Sequence, residues 1–225
     1  MAKIKQIKAS EILNGKGEPT IETTVVLSDG KIGVASSPSA AFPGSYEGTD
    51  LRDNDKERFR GKGVLKAIAN VENIIAPTLL GMEANKQQEI DKKILELDGT
   101  QNKGRLGANA TFSVSAAVAK ASARSSPLPL FLYLKEFVKK ENLPLKIPTP
   151  VFSLITDSFD FLAIPASSKS YIESIKMINT ALSSLENNLK VNNLSTLISD
   201  RGSFGSSLES NENGLSFIKQ SFEGA

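Results

Sequence analysis

LDGTQNKGRLGANATFSVSAAVAKA, residues 97–121, decides the fold. From Gly107 to Ser126 the chain is built mostly of Ala, Ser and Val, and it is free of Pro. Small side chains let a helix lie close against its neighbours, so 107–126 is expected to be a central, buried helix. Just upstream, ANKQQEIDKKILEL (84–97) reads as a second helix, ended by DGT at 98–100. The carboxylates of EIDKKILELD recur at helical spacing and read as a solvated face. Earlier still, Val64, Ile68, Val71, Ile75 and Leu79 form one apolar stripe at helical period. Downstream, LPLFLYLKEFVKK (128–140) reads as a fourth helix.

The first third of the chain has a different period. Residues 3–13 read as a strand and NGKGEP (14–19) as a turn. In TIETTVVL (20–27), Ile21, Thr23, Val25 and Leu27 share one face. SDG (28–30) turns the chain and KIGVAS (31–36) returns, which makes a β-meander. SSPSAAFPGSYEG (36–48) is a long loop of small residues. Such loops are surface connections, or they are functional. GKG (61–63) lacks the rest of a phosphate-binding signature and reads as a structural turn.

Beyond the helices, ENLPLKIPTP (141–150) holds three prolines and reads as a linker. It divides a domain at 1–140 from a segment at 147–225. That segment should contain strands at 150–155 and 159–164, then a helix at 170–190 with Ile172, Ile175, Ile178, Leu182, Leu185 and Leu189 on one face. A short strand at 194–198, the loop SDRGSFG (199–205) and a helix near 211–222 complete it.

Composition narrows the chemistry. The chain has no Cys and no His. Disulfides, thiolate metal sites, His-ligated zinc and Ser-His-Asp catalysis are excluded. Acid–base work falls to Asp, Glu, Lys or Tyr, and any metal should be a hard, oxygen-liking ion such as Mg²⁺. A net charge of +2, with basic residues scattered, predicts no nucleic-acid and no membrane partner. MAKIKQIKAS has no apolar signal core, so a cytoplasmic location is expected.

The motifs at 97–121 resemble the enolase family, whose sequences read LDGT-x-NK-x-x-LGANA followed by a V-S-x-A-V-A-K-A helix. LRDNDKERFRGKGVLKAIANV (51–71) is similar to the family's LRDGDK and GKGV elements. The resemblance runs in order along the chain and is most specific over 51–135. It implies an α+β fold: an N-terminal domain of a three-stranded meander plus helices, then an α/β barrel beginning near the Pro-rich linker. With 147–225 alone, that barrel would be incomplete. It also implies dehydration of a small phosphorylated substrate, 2-phosphoglycerate, to phosphoenolpyruvate. In such sites a Lys removes a proton, Mg²⁺ ions hold the enediolate, and a Glu protonates the leaving hydroxyl.

The resemblance places this chain's departures at the chemistry. The family's D-S-R-G-N-P-T turn is Asn14, Gly15, Lys16, Gly17, Glu18, Pro19 and Thr20 here. Its P-S-G-A-S-T-G substrate loop is Pro38, Ser39, Ala40, Ala41, Phe42, Pro43 and Gly44, with Tyr46 and Glu47 after it in a structural role. Phe42 stands at a Mg²⁺-binding Ser, and a phenyl ring cannot ligate the ion. Pro43 stiffens a loop that must close. Asp160 falls at one catalytic Glu position, one methylene shorter, and the segment before it is shortened. Arg201 falls at the general-acid Glu of G-D-E-G-G-F-A-P, and Arg does not donate protons at ordinary pH. The family's metal carboxylates and base Lys would lie on later strands.

A truncated, catalytically inactive enolase-family protein that does not hold Mg²⁺ is the leading expectation. A non-catalytic binding or assembly module built on 1–140 is a second. An enolase completed by another chain is a third, and a relic or engineered sequence a fourth. Self-association into a homo-oligomer is compatible with each.

Overall fold

A computed structural model describes residues 1–39, 44–138, 145–199 and 202–223. The chain divides into two compact units, Met1–Glu141 and Asn142–Ala225.

The first unit opens with the meander. Strands β1 (Ile4–Leu13), β2 (Pro19–Leu27) and β3 (Ile32–Ser36) form an antiparallel sheet in that order. Ile7 faces Val25 across one ladder and Val25 faces Gly33 across the next. The turn between β1 and β2 is closed by Asn14, whose Oδ1 accepts from the N–H groups of Lys16 and Glu18 at 2.9 and 3.0 Å. On β2 the period-two face is fully buried: Ile21, Thr23, Val25 and Leu27 expose no measurable surface.

That face is covered by helix α4 (Ala108–Ser125). The small residues of α4 permit very close approach. A Cβ built on Gly33 would stand 2.0 Å from the Ala117 carbonyl oxygen, so only glycine fits there. The Thr23 and Ser113 hydroxyls meet at 2.8 Å inside this layer, so neither is left unpaired. Lys120 and Arg124 of α4 donate to the Val34 and Ile32 carbonyls of β3. The remaining helices are α1 (Leu65–Asn70), which runs through a π-helical turn (Val71–Ile75) into α2 (Ala76–Leu79), then α3 (Gln87–Asp98) and α5 (Leu130–Lys135). The predicted stripe is the buried one: Val64, Val71, Ile75 and Leu79 lie in the core. The π-turn precedes Pro77, which lacks the N–H that a regular α-turn needs and whose ring would crowd the carbonyl four residues back. Within the described residues α5 is shorter than the expected 128–140 helix.

The second unit has a four-stranded sheet in the order β5-β4-β7-β6. Its strands are β4 (Phe152–Thr156), β5 (Asp160–Ala163), β6 (Leu197–Ile198) and β7 (Phe204–Gly205). β4 pairs antiparallel with β5 and parallel with β7, and β6 pairs antiparallel with β7. Helices α6 (Tyr171–Val191) and α7 (Asn211–Glu223) complete it, around a core that includes Leu154, Ile155, Phe161, Ile178, Leu185 and Phe217. Ser170 caps α6 by accepting from the Glu173 N–H at 3.2 Å, while Glu173 Oε2 accepts from the Lys169 N–H at 2.7 Å.

Two expectations need correcting here. α6 turns Ser174, Ile178, Ala181, Leu185 and Leu189 inward, so Ile172 and Ile175, expected on the buried face, are exposed. Phe204, read as part of a loop, is a buried strand residue paired with Ile155.

Candidate functional site

The substrate-like loop of the first unit borders a cleft of about 760 Å³, lined by Ser37, Ser39, Asp50, Arg52 and Phe112 among others. Arg52 organises it. Its Nη1 donates to the carbonyls of Pro19 at 2.7 Å and Lys62 at 2.9 Å. Its Nη2 donates to Ser39 Oγ at 2.9 Å and Asp50 Oδ2 at 3.1 Å. One guanidinium thus ties the start of β2, two loops and the first half of the substrate-like loop together, using the planar fork that Lys lacks. Burial raises the Asp50 carboxyl above its ordinary pKa, against the pull of Arg52.

The far end of the loop is held by the motif at 97–121. Asp98 is buried, contrary to the expectation of a wholly solvated acidic face on α3. Its carboxylate accepts from the Thr100 hydroxyl, from the Thr100 N–H at 3.0 Å and from the Leu106 N–H at 2.7 Å. Burial pushes this carboxyl up, but those donors and the Arg105 charge together hold it below its ordinary value. Asp91 is a second exception on α3, accepting from the Ser115 hydroxyl at 2.7 Å. The ordered 100–106 loop presents the Asn102 carbonyl to the Thr49 N–H at 2.8 Å, and the Ala108 N–H returns to the Thr49 carbonyl at 2.8 Å. A Cβ on Gly48 would meet Ala108 Cβ at 2.7 Å, and Gly107 sits at φ +101° with Leu51 Cβ at 2.7 Å from its own would-be Cβ.

A similar device holds 51–66. Asp53 accepts from the N–H groups of Leu65 and Lys66 at the start of α1. Arg58 bridges Glu11 and Asp53, and Glu11 also accepts from the Val64 N–H at 2.9 Å. The hydrogen bond from Arg58 is the main cause that lowers the Glu11 pKa. Gly61, at φ +87°, and Gly63, whose Cβ would stand 2.4 Å from Asp53 Oδ2, make the GKG segment a structural turn.

In the second unit, hydroxyls link the two ends of the loop to the sheet. Thr156 Oγ1 donates to Asp160 Oδ1 at 3.0 Å. Thr156 Oγ1 lies 2.6 Å from Ser203 Oγ, which lies 2.8 Å from Ser199 Oγ. Each hydroxyl has one proton. Because the Thr156 hydroxyl donates its hydrogen bond to the carboxylate, Ser203 must donate to Thr156 and Ser199 to Ser203. The chain therefore runs one way, Ser199 to Ser203 to Thr156 to Asp160, and each bond polarises the next. Asp160 is exposed at the start of β5, whereas Ser203 is fully buried.

The structure thus assigns positions to three of the predicted site residues. Ser39 is bound to Arg52, Gly44 is exposed with its carbonyl accepting from the Glu47 N–H at 3.1 Å, and Asp160 accepts a hydrogen bond from the Thr156 hydroxyl. Ala40, Ala41, Phe42, Pro43 and Arg201 lie outside the described residues. Tyr46 is fully exposed and Glu47 is exposed at the rim of the cleft, so the side chain of Tyr46 does not have the structural role expected of it.

Residues 4–134 match the family model described as "Enolase, N-terminal domain". The chain belongs to the enolase family. The match covers more than half of the 225 residues and falls within the first unit. In this enolase-family chain the residues that carry the resemblance, Asp53, Gly63, Asp98, Gly107 and Asn109, work as scaffold. They fix the ends of loops. Sequence reading missed Arg52 as the centre of the cleft and the hydroxyl chain, whose members are scattered Ser and Thr with no fixed spacing. Among the described residues no three His, Cys, Asp or Glu side chains converge as metal ligands. No helix among them is long and apolar enough to cross a membrane.

Proposed function

We propose that this enolase-family chain keeps the loop-holding scaffold of the N-terminal domain but does not dehydrate 2-phosphoglycerate on its own. The observation that carries this is the donor set around loop 199–206. Hydroxyls of Thr156, Ser203 and Ser199 run to Asp160 there, and the sequence supplies Arg201 where the family's reaction needs a proton-donating Glu. A hydroxyl chain ending on a carboxylate can fix a loop, but alcohol hydroxyls are poor general acids at neutral pH. Phe42 removes a Mg²⁺ ligand, and Ser39 is engaged by Arg52. In this reading 147–225 corresponds to the start of the family's α/β barrel, small phosphorylated ligands are not turned over, Mg²⁺ is not held, and the location is cytoplasmic.

The test is direct: purified chain, saturating 2-phosphoglycerate and Mg²⁺, with phosphoenolpyruvate followed by its absorbance. Production at the rate of a protein-free blank supports the proposal, and enzymatic turnover overturns it. A second reading, a binding module, is favoured by one specific feature of the first unit: the half-exposed Phe112 on its most buried helix.

A further inference from the structure

The α3–α4–α5 face of the first unit carries features that the loop and its cleft leave unused. α4 buries most of its side chains, yet Phe112 is 51% exposed at its first turns. On one side of the ring lies a hollow of about 380 Å³ bordered by Ile94, Leu95 and Thr111. On the other lies one of about 330 Å³ bordered by Ala116, Leu130 and Leu134. Asp91 and Ser115 line both. Leu95 and Leu134 are themselves nearly half exposed, so the walls as well as the ring show apolar surface.

The polar floor of this groove is short of donors. Gln87 lines the second hollow and is only 6% exposed. Its Nε2 donates to Asp91 Oδ1 at 2.9 Å and to Ser115 Oγ at 3.1 Å, and Ser115 Oγ donates to the same Asp91 oxygen at 2.7 Å. Turning the amide over would set its oxygen against the carboxylate, so this orientation is fixed. Gln87 Oε1 is then buried without a partner. No hydrogen bond from the described residues reaches Asp91 Oδ2. Lys120, beside the second hollow, is engaged elsewhere, with its Nζ on the Val34 carbonyl at 3.0 Å.

Two apolar hollows parted by an aromatic ring, over a carboxylate with one oxygen that no described donor reaches and a buried carbonyl without a partner, define their complement. It is apolar at both ends and donates hydrogen bonds from a positive group in the middle. The open Asp91 oxygen is an acceptor that a positive donor can pair by a charge-assisted hydrogen bond. We propose that this groove docks a segment of a partner protein that presents a basic side chain between two apolar ones. The apolar side chains fill the hollows on either side of Phe112, and the basic one bonds Asp91. This mode of recognition is a helix or extended segment laid in a groove, and it does not depend on the chain's catalytic status.

The test uses the whole chain and fluorescein-labelled helical peptides. One presents Leu, Arg and Leu at successive i, i+4 positions on one face. The other replaces that Arg by citrulline, which has the same shape and no charge. The expected result by fluorescence anisotropy is at least about tenfold tighter binding of the Arg peptide to the unmodified chain. Asp91→Asn should abolish that preference, and Phe112→Ala should weaken both peptides. Equal affinity for the two peptides, absence of binding, or an Arg preference that survives Asp91→Asn would overturn the proposal. So would a concentration-dependent dimer that Phe112→Ser converts to monomer, since the face would then belong to a second copy.

Discussion

Asn109 brackets the backbone of Leu51: its Oδ1 accepts from the Leu51 N–H at 3.1 Å and its Nδ2 donates to the Leu51 carbonyl at 3.2 Å. The same Oδ1 also lies 3.1 Å from the Ala110 N–H, so one buried amide joins the loop to the first turn of α4. Asn109→Ala leaves buried backbone groups unpaired, and a loss of about 2–4 kcal/mol is expected. Asn109→Asp retains the acceptor and loses the donor, but it buries a charge, so it should not rescue stability at neutral pH. Urea denaturation of both variants checks this; a loss below about 1 kcal/mol for the Ala variant would show that the bracket is dispensable.

Gly33 and Gly15 make a matched pair for the close approach of β3 to α4. Gly33→Ala would drive a methyl into the Ala117 carbonyl and the Ala121 N–H, at 2.0 and 2.5 Å. The backbone must separate, at a cost of roughly 3 kcal/mol or more. Gly15→Ala meets nothing within 4 Å and its φ is not positive, so it should change stability by less than about 0.5 kcal/mol. Equal melting temperatures for the two variants would refute the close-packing account.

Acid stability should depend on Glu11 and Asp98. Both have folded-state pKa values lowered, Glu11 chiefly by the Arg58 hydrogen bond and Asp98 by its donors against the opposing effect of burial. A carboxylate with a depressed pKa contributes stability that is present above its unfolded value and is lost as pH falls through the folded one. Glu11→Gln and Asp98→Asn should therefore be less stable than the parent at pH 7, with the deficit shrinking below pH 4. Asp50 has the opposite sign. Burial raises it, so its protonated form is favoured in the folded chain and that contribution is lost as pH rises through the folded pKa. Asp50→Asn should be at least as stable as the parent at neutral pH, provided the amide keeps the Arg52 contact. Denaturation midpoints from pH 3 to 7 test the signs; a deficit that grows on acidification would contradict them.

Ser203 should be the keystone of the second unit's loop. It is fully buried and stands in the middle of the hydroxyl chain. Ser203→Ala removes the hydroxyl bonds to Thr156 and Ser199, costing about 1–2 kcal/mol. Amide exchange in β6 and β7 should accelerate while exchange in α4 stays unchanged. Unaltered protection of Phe204 would show that the chain does not hold the loop.

Much of the first unit was legible because its two periods are clean. Ile21, Thr23, Val25 and Leu27 alternate without interruption, and the small residues of 107–126 announce close packing. The second unit was less legible for physical reasons. α6 is apolar on more than one face, so periodicity does not say whether Ile175 or Ala181 turns inward; the sheet decides it. β7 is two residues long and pairs in parallel with a distant strand, so no local pattern marks it. The π-turn before Pro77 keeps the apolar stripe intact and leaves no trace in it. At the candidate site, the resemblance located the loops, but not the role of Arg52. An arginine that satisfies backbone carbonyls has the same sequence signature as one that binds a ligand.

The direct measurement of the central claim is dehydration itself, made with the chain and with the double replacement Phe42→Ser and Arg201→Glu. Groups that act as one catalytic unit are not additive. With saturating 2-phosphoglycerate and Mg²⁺, the account predicts that neither protein forms phosphoenolpyruvate faster than a protein-free blank. Turnover by the unmodified chain that persists after every trace of host enolase has been removed would contradict it.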